Sequence, residues 1–291
     1  MFSYSDDIIA AAEEIAKTGD IHDVLEKLRQ LCLDDFGELL LGVPDPSFPS
    51  LSSILPRMAS EEVQKNWTGD SGIALLGYTT SFVRLAAYNC QKLLGRGLND
   101  RTILDFGCGY GRILRLMYYY SSPVRIWGLD PWEKSIEICR ADGVLGQLAV
   151  SDYLPTTIPV GDTTFDFIYS FSVFTHLSER AATLALTTLR RYVARDGLCV
   201  ITIRPKEYWQ QPDPAVAAGT PIDRDELVGR HERSGFAFVP HALEAIDGEV
   251  TYGDTSLSFE WIEQHAEGWN LIGYDRSLLD PFQIHVYLVP K

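Results

Sequence analysis

The chain has 291 residues, of which 46% are hydrophobic and 22% are charged, and its formal net charge is −15 at pH 7. This composition is typical of a globular protein long enough for two domains, or for one α/β domain with additions. The acidic excess argues against nucleic acid or an anionic membrane as a partner, because phosphate binding needs clustered Lys and Arg.

The five cysteines are scattered through the chain, and no two of them form a C-x-x-C pair. This favours reduced thiols in a cytoplasmic protein over a disulfide framework or a zinc site. The N-terminus lacks the basic region and apolar core of a secretory signal. The longest apolar run, 74–90, is interrupted by Arg84, so we expect no insertion into a membrane.

The first 97 residues are predicted to be mainly helical. Residues 4–41 carry two apolar stripes separated by Gly19 and Asp20. The first consists of Ile8, Ile9, Ala12, Ile15 and Ala16, and the second of Ile21, Val24, Leu25, Leu28, Leu31 and Cys32. Residues 44–56 are rich in proline and serine and predict an extended connector. A long helix is expected over 73–94, with glycines ending it.

The segment from Ile103 to Met117 predicts a short buried strand, a glycine-rich turn and a helix. Gly107, Gly109 and Gly111 permit positive φ angles and allow a ligand to approach the main chain, where backbone N–H groups would hold it. The third glycine follows the second by two residues, whereas a dinucleotide fingerprint needs three.

Strands and helices then alternate, which predicts a parallel sheet with crossover helices. Further strands are predicted at 125–130, 146–150, 165–172 and 198–203, with a turn at 195–197, and helices at 112–120, 132–141 and 179–193. The least regular region, about 205–268, predicts a helix at 223–233, a strand pair at 236–241 and 249–253, and a helix at 258–265. Two final strands are expected at 270–274 and 284–289.

The pattern Asp105-x-Gly107-x-Gly109-x-Gly111 after a strand resembles motif I of the class I S-adenosylmethionine-dependent methyltransferases. Three later segments agree with that family in order. They are the strand ending in Asp130, the run Ser151-Asp152-Tyr153, and Phe165-Asp-Phe-Ile, which resembles the strand before the family's active-site loop. The resemblance implies S-adenosylmethionine as cofactor and S-adenosylhomocysteine as product.

The implied fold is α/β and Rossmann-like, with a seven-stranded, mostly parallel sheet in the order 3-2-1-4-5-7-6 and an antiparallel last strand. We expect an N-terminal helical extension over 1–97. The cofactor-binding domain would span 98–291, with a variable substrate-side insertion at about 205–268.

In this family the acid after the first strand meets the ammonium group of the cofactor, and the glycines meet its methionine and ribose portions. Asp130 would accept the ribose hydroxyls, and Asp152 would meet the adenine amino group. The full implied set is Thr68, Asp105, Gly107, Cys108, Gly109, Gly111, Asp130, Pro131, Asp152, Tyr153, Ser170 and Phe171. The stretch around Thr68 has an equal alternative, which is capping of the long helix by Asp70 or Ser71.

His176 follows the fourth strand and is the candidate general base, because a neutral imidazole can take the proton of an acceptor hydroxyl. The alternative is that His176 packs against adenine or orients its loop. Candidate substrate contacts are Arg204, Tyr252, Thr255 and Gln283. The remaining histidines of the second half, His231, His241, His265 and His285, are expected to be structural. No cluster has metal-ligand spacing, so no metal is predicted.

Tyr252-Gly-Asp-Thr-x-x-Ser and Ser172-Val-Phe-Thr-His-Leu resemble a bacterial subgroup associated with surface-polysaccharide and glycan pathways. This implies methyl transfer to a hydroxyl of a sugar or glycan intermediate. The alternatives are an O- or N-methyltransferase of a small natural product and a catalytically silent cofactor-binding module. The intact glycines and acids argue against a silent module, and the glycine spacing and antiparallel ending argue against an NAD-dependent dehydrogenase. A homodimer is one assembly that we consider.

Overall fold

The computed structural model describes residues 3–211 and 223–291, and the chain divides into two compact units, Met1–Val150 and Ser151–Lys291. The first unit begins with six helices: α1 (Ser3–Ala16), α2 (Ile21–Leu28), α3 (Leu33–Gly42), α4 (Pro49–Ile54), α5 (Glu61–Thr68) and α6 (Gly72–Leu94). Most residues of the apolar stripes of α1 and α2 are buried, as their periodicity predicts, and the others in these two helices are half-buried, namely Ile8, Ile15 and Ile21.

Three details of this helical region differ from the sequence predictions. The second stripe ends before Cys32, which is exposed and begins α3 by accepting a hydrogen bond from the Asp35 N–H. The predicted connector contains α4, because a proline at the start of a helix loses no hydrogen bond there. The amide oxygen of Gln64 caps α6 by accepting from the Gly72 N–H at 3.0 Å, and neither predicted capping side chain does so.

The remainder of the first unit alternates strands and helices: β1 (Ile103–Phe106), α7 (Arg112–Met117), β2 (Ile126–Asp130), α8 (Glu133–Ala141) and β3 (Gln147–Val150). Strand β2 lies between β1 and β3 and is parallel to both. Gly128 permits this packing, because a methyl group at that position would lie 2.6 Å from Leu114 Cδ1. Because the three strands are parallel, their carboxyl ends lie at the same edge of the sheet, where the glycine-rich turn also lies.

The second unit contains β4 (Phe165–Ser170), α9 (Glu179–Tyr192), β5 (Val193–Ile203), α10 (Arg224–Ser234), β6 (Phe236–Pro240), β7 (Gly253–Leu257), α11 (Phe259–His265), β8 (Trp269–Arg276) and β9 (Ile284–Pro290). Strands β4 and β5 are parallel, and β9 is antiparallel to both β5 and β8. In the described residues the sheet has seven strands in the order β3-β2-β1-β4-β5-β9-β8. Strands β6 and β7 form a separate pair, so β8 and β9 are the sixth and seventh strands of the sheet in chain order. The predicted fold and the predicted strand order 3-2-1-4-5-7-6 are therefore confirmed.

Two strand predictions in the second unit are wrong. Strand β6 pairs with Gly253–Leu257, whereas the sequence predicted residues 249–253 as its partner. Strand β5 begins at Val193 and continues through the predicted turn at 195–197, with a register shift against β4. Gly197 permits this course, because a Cβ there would lie 2.9 Å from the Phe165 carbonyl oxygen.

The predicted division at residue 97 stays a prediction, as does the homodimer. All five cysteines are free thiols. None of the helices in the described ranges combines the length and apolarity needed to cross a bilayer.

Candidate functional site

The glycine-rich turn after β1 has the left-handed backbone that its glycines allow. The φ angles of Gly107, Gly109 and Gly111 are +85°, +54° and +77°. The N–H groups of Gly107 and Cys108 donate to the Leu129 carbonyl oxygen at 2.7 and 2.9 Å, which ties the turn to the end of β2. These hydrogen bonds therefore hold the turn against the end of β2.

Asp130 ends β2 and is buried, with 9% of its surface exposed. Its Oδ2 accepts from the Gly109 N–H at 2.9 Å, and its Oδ1 accepts from the Trp132 N–H and the Ser135 hydroxyl, each at 2.9 Å. Burial raises the pKa of this carboxyl, while the three hydrogen bonds oppose that change. A carboxylate has about four acceptor positions, so the carboxylate keeps acceptor capacity for a ligand hydroxyl.

An aromatic group covers the glycine-rich turn. The rings of Trp67 and Trp132 stack with centroids 4.8 Å apart, and Trp67 also meets Tyr110 edge-on at 5.7 Å. A methyl group placed on Gly109 would lie 3.8 Å from the Trp67 ring. The neighbouring Thr68 is exposed, and its hydroxyl donates to the Gln64 carbonyl oxygen at 2.6 Å.

The two other predicted cofactor residues of the turn are buried. Asp105 lies in β1 with 2% of its surface exposed, and Cys108 is 6% exposed. Its interaction with Cys139 and its burial raise the pKa of the Cys108 thiol, so the thiol stays protonated. This agrees with a packed cysteine and not with an activated nucleophile.

In the second unit, the chain turns sharply after β4. Ser172 has a φ of +59°, and its N–H donates to the Thr202 hydroxyl at 2.7 Å. The Ser172 hydroxyl accepts from Gln283 Nε2 at 3.1 Å. Within the described parts of the chain, the buried Oε1 of Gln283 has no hydrogen-bond partner. Nearby, Phe171 meets the ring of His285 edge-on at 6.3 Å.

A buried carboxylate organises the region that follows. Asp254 is fully buried and accepts hydrogen bonds from three side chains, namely Arg204 at 2.6 Å, the Tyr208 hydroxyl at 2.9 Å and His241 Nε2 at 3.1 Å. The Arg204 guanidinium also lies 4.1 Å from the centroid of the Tyr208 ring. The charge of Asp254 is therefore paired and hydrogen-bonded, as a buried ion requires.

His176 lies beside this carboxylate with both ring nitrogens engaged. Nδ1 donates to the Gly253 carbonyl oxygen at 2.7 Å, and Nε2 faces the Arg204 guanidinium at 3.3 Å. Burial, and then the charge of Arg204, lower the pKa of His176 to about 3. The Tyr252 ring stacks on the imidazole with centroids 5.0 Å apart.

Strand β7 is fixed against the loop after β4. The N–H groups of Gly253 and Thr255 donate to the carbonyl oxygens of His176 and Thr175 at 2.7 and 2.9 Å. The Thr255 hydroxyl donates to the Leu177 carbonyl oxygen at 2.6 Å, so this predicted substrate contact already has a structural partner.

Comparison with known proteins gives this geometry a family context. Residues 104–201 match the family model described as "Methyltransferase domain". This part of the chain is a methyltransferase domain. The match begins in β1 and ends in β5, so it includes the glycine-rich turn, Asp130 and the loop after β4.

Several solved structures are similar to this chain. The PH0226 protein from Pyrococcus horikoshii OT3 is 15% identical, with a TM-score of 0.51 over 73% of this chain and 91% of that chain. An S-adenosylmethionine-dependent methyltransferase from Mesorhizobium loti is 17% identical, with a TM-score of 0.47 over 70% and 97% of the two chains. The glycopeptide N-methyltransferase MtfA complexed with sinefungin is 10% identical, with a TM-score of 0.48 over 70% and 92%.

S-adenosylmethionine is the cofactor of the methyltransferase domain. The residues of the first unit fit it, because the turn presents left-handed glycines and the adjoining Asp130 keeps acceptor capacity. When bound, this cofactor supplies a methyl group on a positively charged sulfur. Asp130 and the glycine turn would hold its ribose, and Asp105 its ammonium group.

The remaining predicted cofactor residues have mixed environments, and their roles stay predictions. Asp152 and Tyr153 are exposed just after β3, whereas Ser170 is fully buried at the end of β4. Pro131 lies between Asp130 and the stacked indole of Trp132 and is partly exposed.

Two residues and one cluster beside the candidate site are not predicted from the sequence. Trp67 was passed over because a lone tryptophan before a helix carries no spacing signal. The sequence predicts a structural role for His241, and the structure places its ring in contact with Asp254. Ligand atoms of His176, His241 and Asp254 lie within 4.8 Å of one another, an arrangement that could hold a metal ion although no metal was predicted. The carboxylate already accepts hydrogen bonds from Arg204, Tyr208 and His241, so we interpret the cluster as a hydrogen-bond network.

Proposed function

We propose that the chain transfers the methyl group of S-adenosylmethionine to a hydroxyl of a sugar or glycan intermediate. The observation that carries this choice of acceptor is Tyr252, a residue that is 38% exposed and whose ring stacks on His176 beside a dense polar network. An exposed aromatic face suits the apolar face of a sugar ring, and neighbouring polar groups suit its hydroxyls.

The amide of Gln283 gives this proposal a second support. Its buried Oε1 lacks a partner within the described ranges, and an unsatisfied buried acceptor costs about 1–3 kcal/mol. A hydroxyl reaching this oxygen would remove that cost. Arg204 and Thr255 would contribute indirectly, since both already bind protein groups.

His176 was predicted to be the general base, and its geometry disfavours that role. A base needs a nitrogen lone pair facing the acceptor, but Nε2 faces the Arg204 guanidinium. We therefore assign His176 a positioning role, in which its stacked ring supports Tyr252. The glycan pathway, bacterial origin, cytoplasmic location and homodimer stay predictions from the sequence.

Methyl transfer from isotopically labelled S-adenosylmethionine to a panel of nucleotide sugars, glycans, phenols and amines tests the proposal. We expect label on a sugar hydroxyl, with loss of transfer in Asp130→Ala and normal transfer in Asp162→Ala, which changes an exposed loop acid. Transfer to phenols or amines alone would contradict the sugar acceptor. Tight binding of S-adenosylhomocysteine without any transfer would instead favour a silent module.

A further inference from the structure

Two histidines lie next to Asp254, and they differ in the state of their ring nitrogens. Both nitrogens of His176 are engaged, one by the Gly253 carbonyl oxygen and one by Arg204. His241 uses only Nε2, which lies 3.1 Å from Asp254 Oδ2. Among the described residues, none forms a hydrogen bond with Nδ1 of His241.

This contact fixes the tautomer of His241. An ionised carboxylate only accepts hydrogen bonds, so Nε2 carries the proton and Nδ1 keeps its lone pair. The His241 side chain is 23% exposed, whereas that of Asp254 is 0% exposed. The imidazole therefore has a buried, protonated end and an accessible basic end.

The position of His241 is fixed by its surroundings. Its N–H donates to the Tyr252 carbonyl oxygen at 3.1 Å, and its ring meets the Tyr252 ring edge-on at 5.5 Å. The His176 ring lies 6.2 Å away. His241 thus borders the exposed aromatic face on which the proposed acceptor would bind.

Asp254 is shared between His241 and two other side chains. Asp254 faces Nε2, while Arg204 and the Tyr208 hydroxyl bind the other carboxylate oxygen, Oδ1. His176 stays neutral because its pKa is lowered to about 3, so it adds no repulsion near neutral pH. The contact between Nε2 and Asp254 Oδ2 is compatible with the neutral and the protonated ring, because Nε2 carries a proton in both.

We propose that His241, oriented by Asp254, accepts the proton of the acceptor hydroxyl during methyl transfer, a step that rests on the proposed function. The acceptor oxygen forms a bond to the methyl carbon while the carbon–sulfur bond breaks, and the electron pair of that bond stays on sulfur. The hydroxyl proton moves to Nδ1 of His241. The imidazolium later releases it to water.

The protonation state of the two ring nitrogens of His241 can be measured in the wild-type protein without an acceptor. Histidine ¹⁵N NMR at pH 8 should show Nε2 protonated and Nδ1 unprotonated in His241. Diethyl pyrocarbonate with peptide mapping should label His241 faster than His176, because only His241 offers an accessible lone pair. A protonated Nδ1, or equal labelling of the two residues, would overturn the proposal.

Two variants extend the test to catalysis: His241→Gln and the surface control His22→Gln. With any acceptor that the wild type methylates, His241→Gln should lower turnover by about 10²–10⁴-fold, the usual contribution of a general base. Its affinity for S-adenosylhomocysteine should stay unchanged, and His22→Gln should match the wild type. Wild-type turnover in His241→Gln, with the fold verified by circular dichroism, would refute the assignment.

The experiments distinguish an error in the proposed function from an error in the assignment of His241. If the wild type methylates amines but no hydroxyl, the acceptor class is wrong, while NMR and labelling still decide the state of His241. Stoichiometric metal in the purified protein that is lost in His241→Gln would also overturn the proposal, because a metal would occupy the lone pair.

Discussion

The carboxylate of Asp130 is held in place by three hydrogen bonds from the protein itself. Its three donors come from the glycine-rich turn, from the residue after Pro131 and from α8. Hydrogen bonds to an ionised acceptor are the stronger kind, so they fix the direction of both oxygens. A ribose would then meet a preorganised carboxylate, and little ordering cost would remain.

Asp130→Ala should weaken S-adenosylhomocysteine binding by about 1.5–3 kcal/mol, because hydrogen bonds to a charged group are lost. Isothermal titration measures the change, and Asp162→Ala should bind like the wild type. Asp130→Asn keeps one carbonyl oxygen for the N–H of Trp132, so it separates loss of the ribose contact from disorder of the turn. Unchanged affinity in both Asp130 variants would remove the ribose assignment.

Individual residues differ in how far their roles can be predicted from the sequence. The proposed cofactor roles of Asp105, the glycines and Asp130 are predicted from spacing, because a turn that approaches a ligand restricts residue type at fixed intervals. The proposed role of His241 cannot be predicted in this way, because it depends on the contact with Asp254, 13 residues later, across the β6–β7 pair. A pairing between strands has no fixed spacing along the chain.

At the scale of elements, the buried ion pair of Arg204 and Asp254 connects the end of β5 to β7. Arg204 also donates to the Thr175 carbonyl oxygen at 2.9 Å, so it touches the loop after β4 as well. One guanidinium therefore holds together three separate segments of the second unit. Removing one partner would leave the other charge buried without compensation.

Arg204→Met should lower the free energy of unfolding by about 3–5 kcal/mol, because Asp254 would remain buried and unpaired. Urea denaturation measures the loss. Arg180→Met is the matched control, since its partner Asp247 is exposed and such a surface pair is worth less than about 1 kcal/mol. Similar losses in the two variants would mean that burial does not determine the cost.

The wrong prediction of the second strand in the β6–β7 pair has a physical cause. All five residues of β7 are buried, including the polar Asp254, Thr255 and Ser256. A strand with one solvent-exposed face alternates apolar and polar residues. In β7, side-chain hydrogen bonds of buried polar residues replace apolar packing. The sequence therefore carries no period-two signal at the strand that holds the cluster.

At the scale of the whole molecule, buried neutral histidines make stability depend on pH. The pKa of His176 is lowered to about 3 and that of His285 to about 4, in both cases mainly by burial. The unfolded chain binds these protons near pH 6.5, whereas the folded chain does not. The contribution of these two histidines to the free energy of unfolding is therefore fully present above pH 6.5 and is lost as pH falls toward their lowered pKa values.

Chemical denaturation between pH 6.5 and 5 should show a falling free energy of unfolding, with a slope of up to about 1.4 kcal/mol per pH unit for each histidine. His176→Gln should lower this slope, because glutamine takes up no proton on unfolding. The control His22→Gln changes an exposed residue and should keep the wild-type slope. A slope unaffected by His176→Gln would show that its imidazole is not kept neutral by the fold.

The stacked indoles beside the glycine-rich turn give the protein an intrinsic optical reporter. Trp132 is 49% exposed, whereas Trp209, Trp261 and Trp269 are buried at 0%, 1% and 3%. Trp67 lies over Gly109, so a ligand entering that turn changes the surroundings of the stacked pair before those of the buried indoles. Emission from this pair can thus follow cofactor entry in real time, without a label and without knowledge of the acceptor.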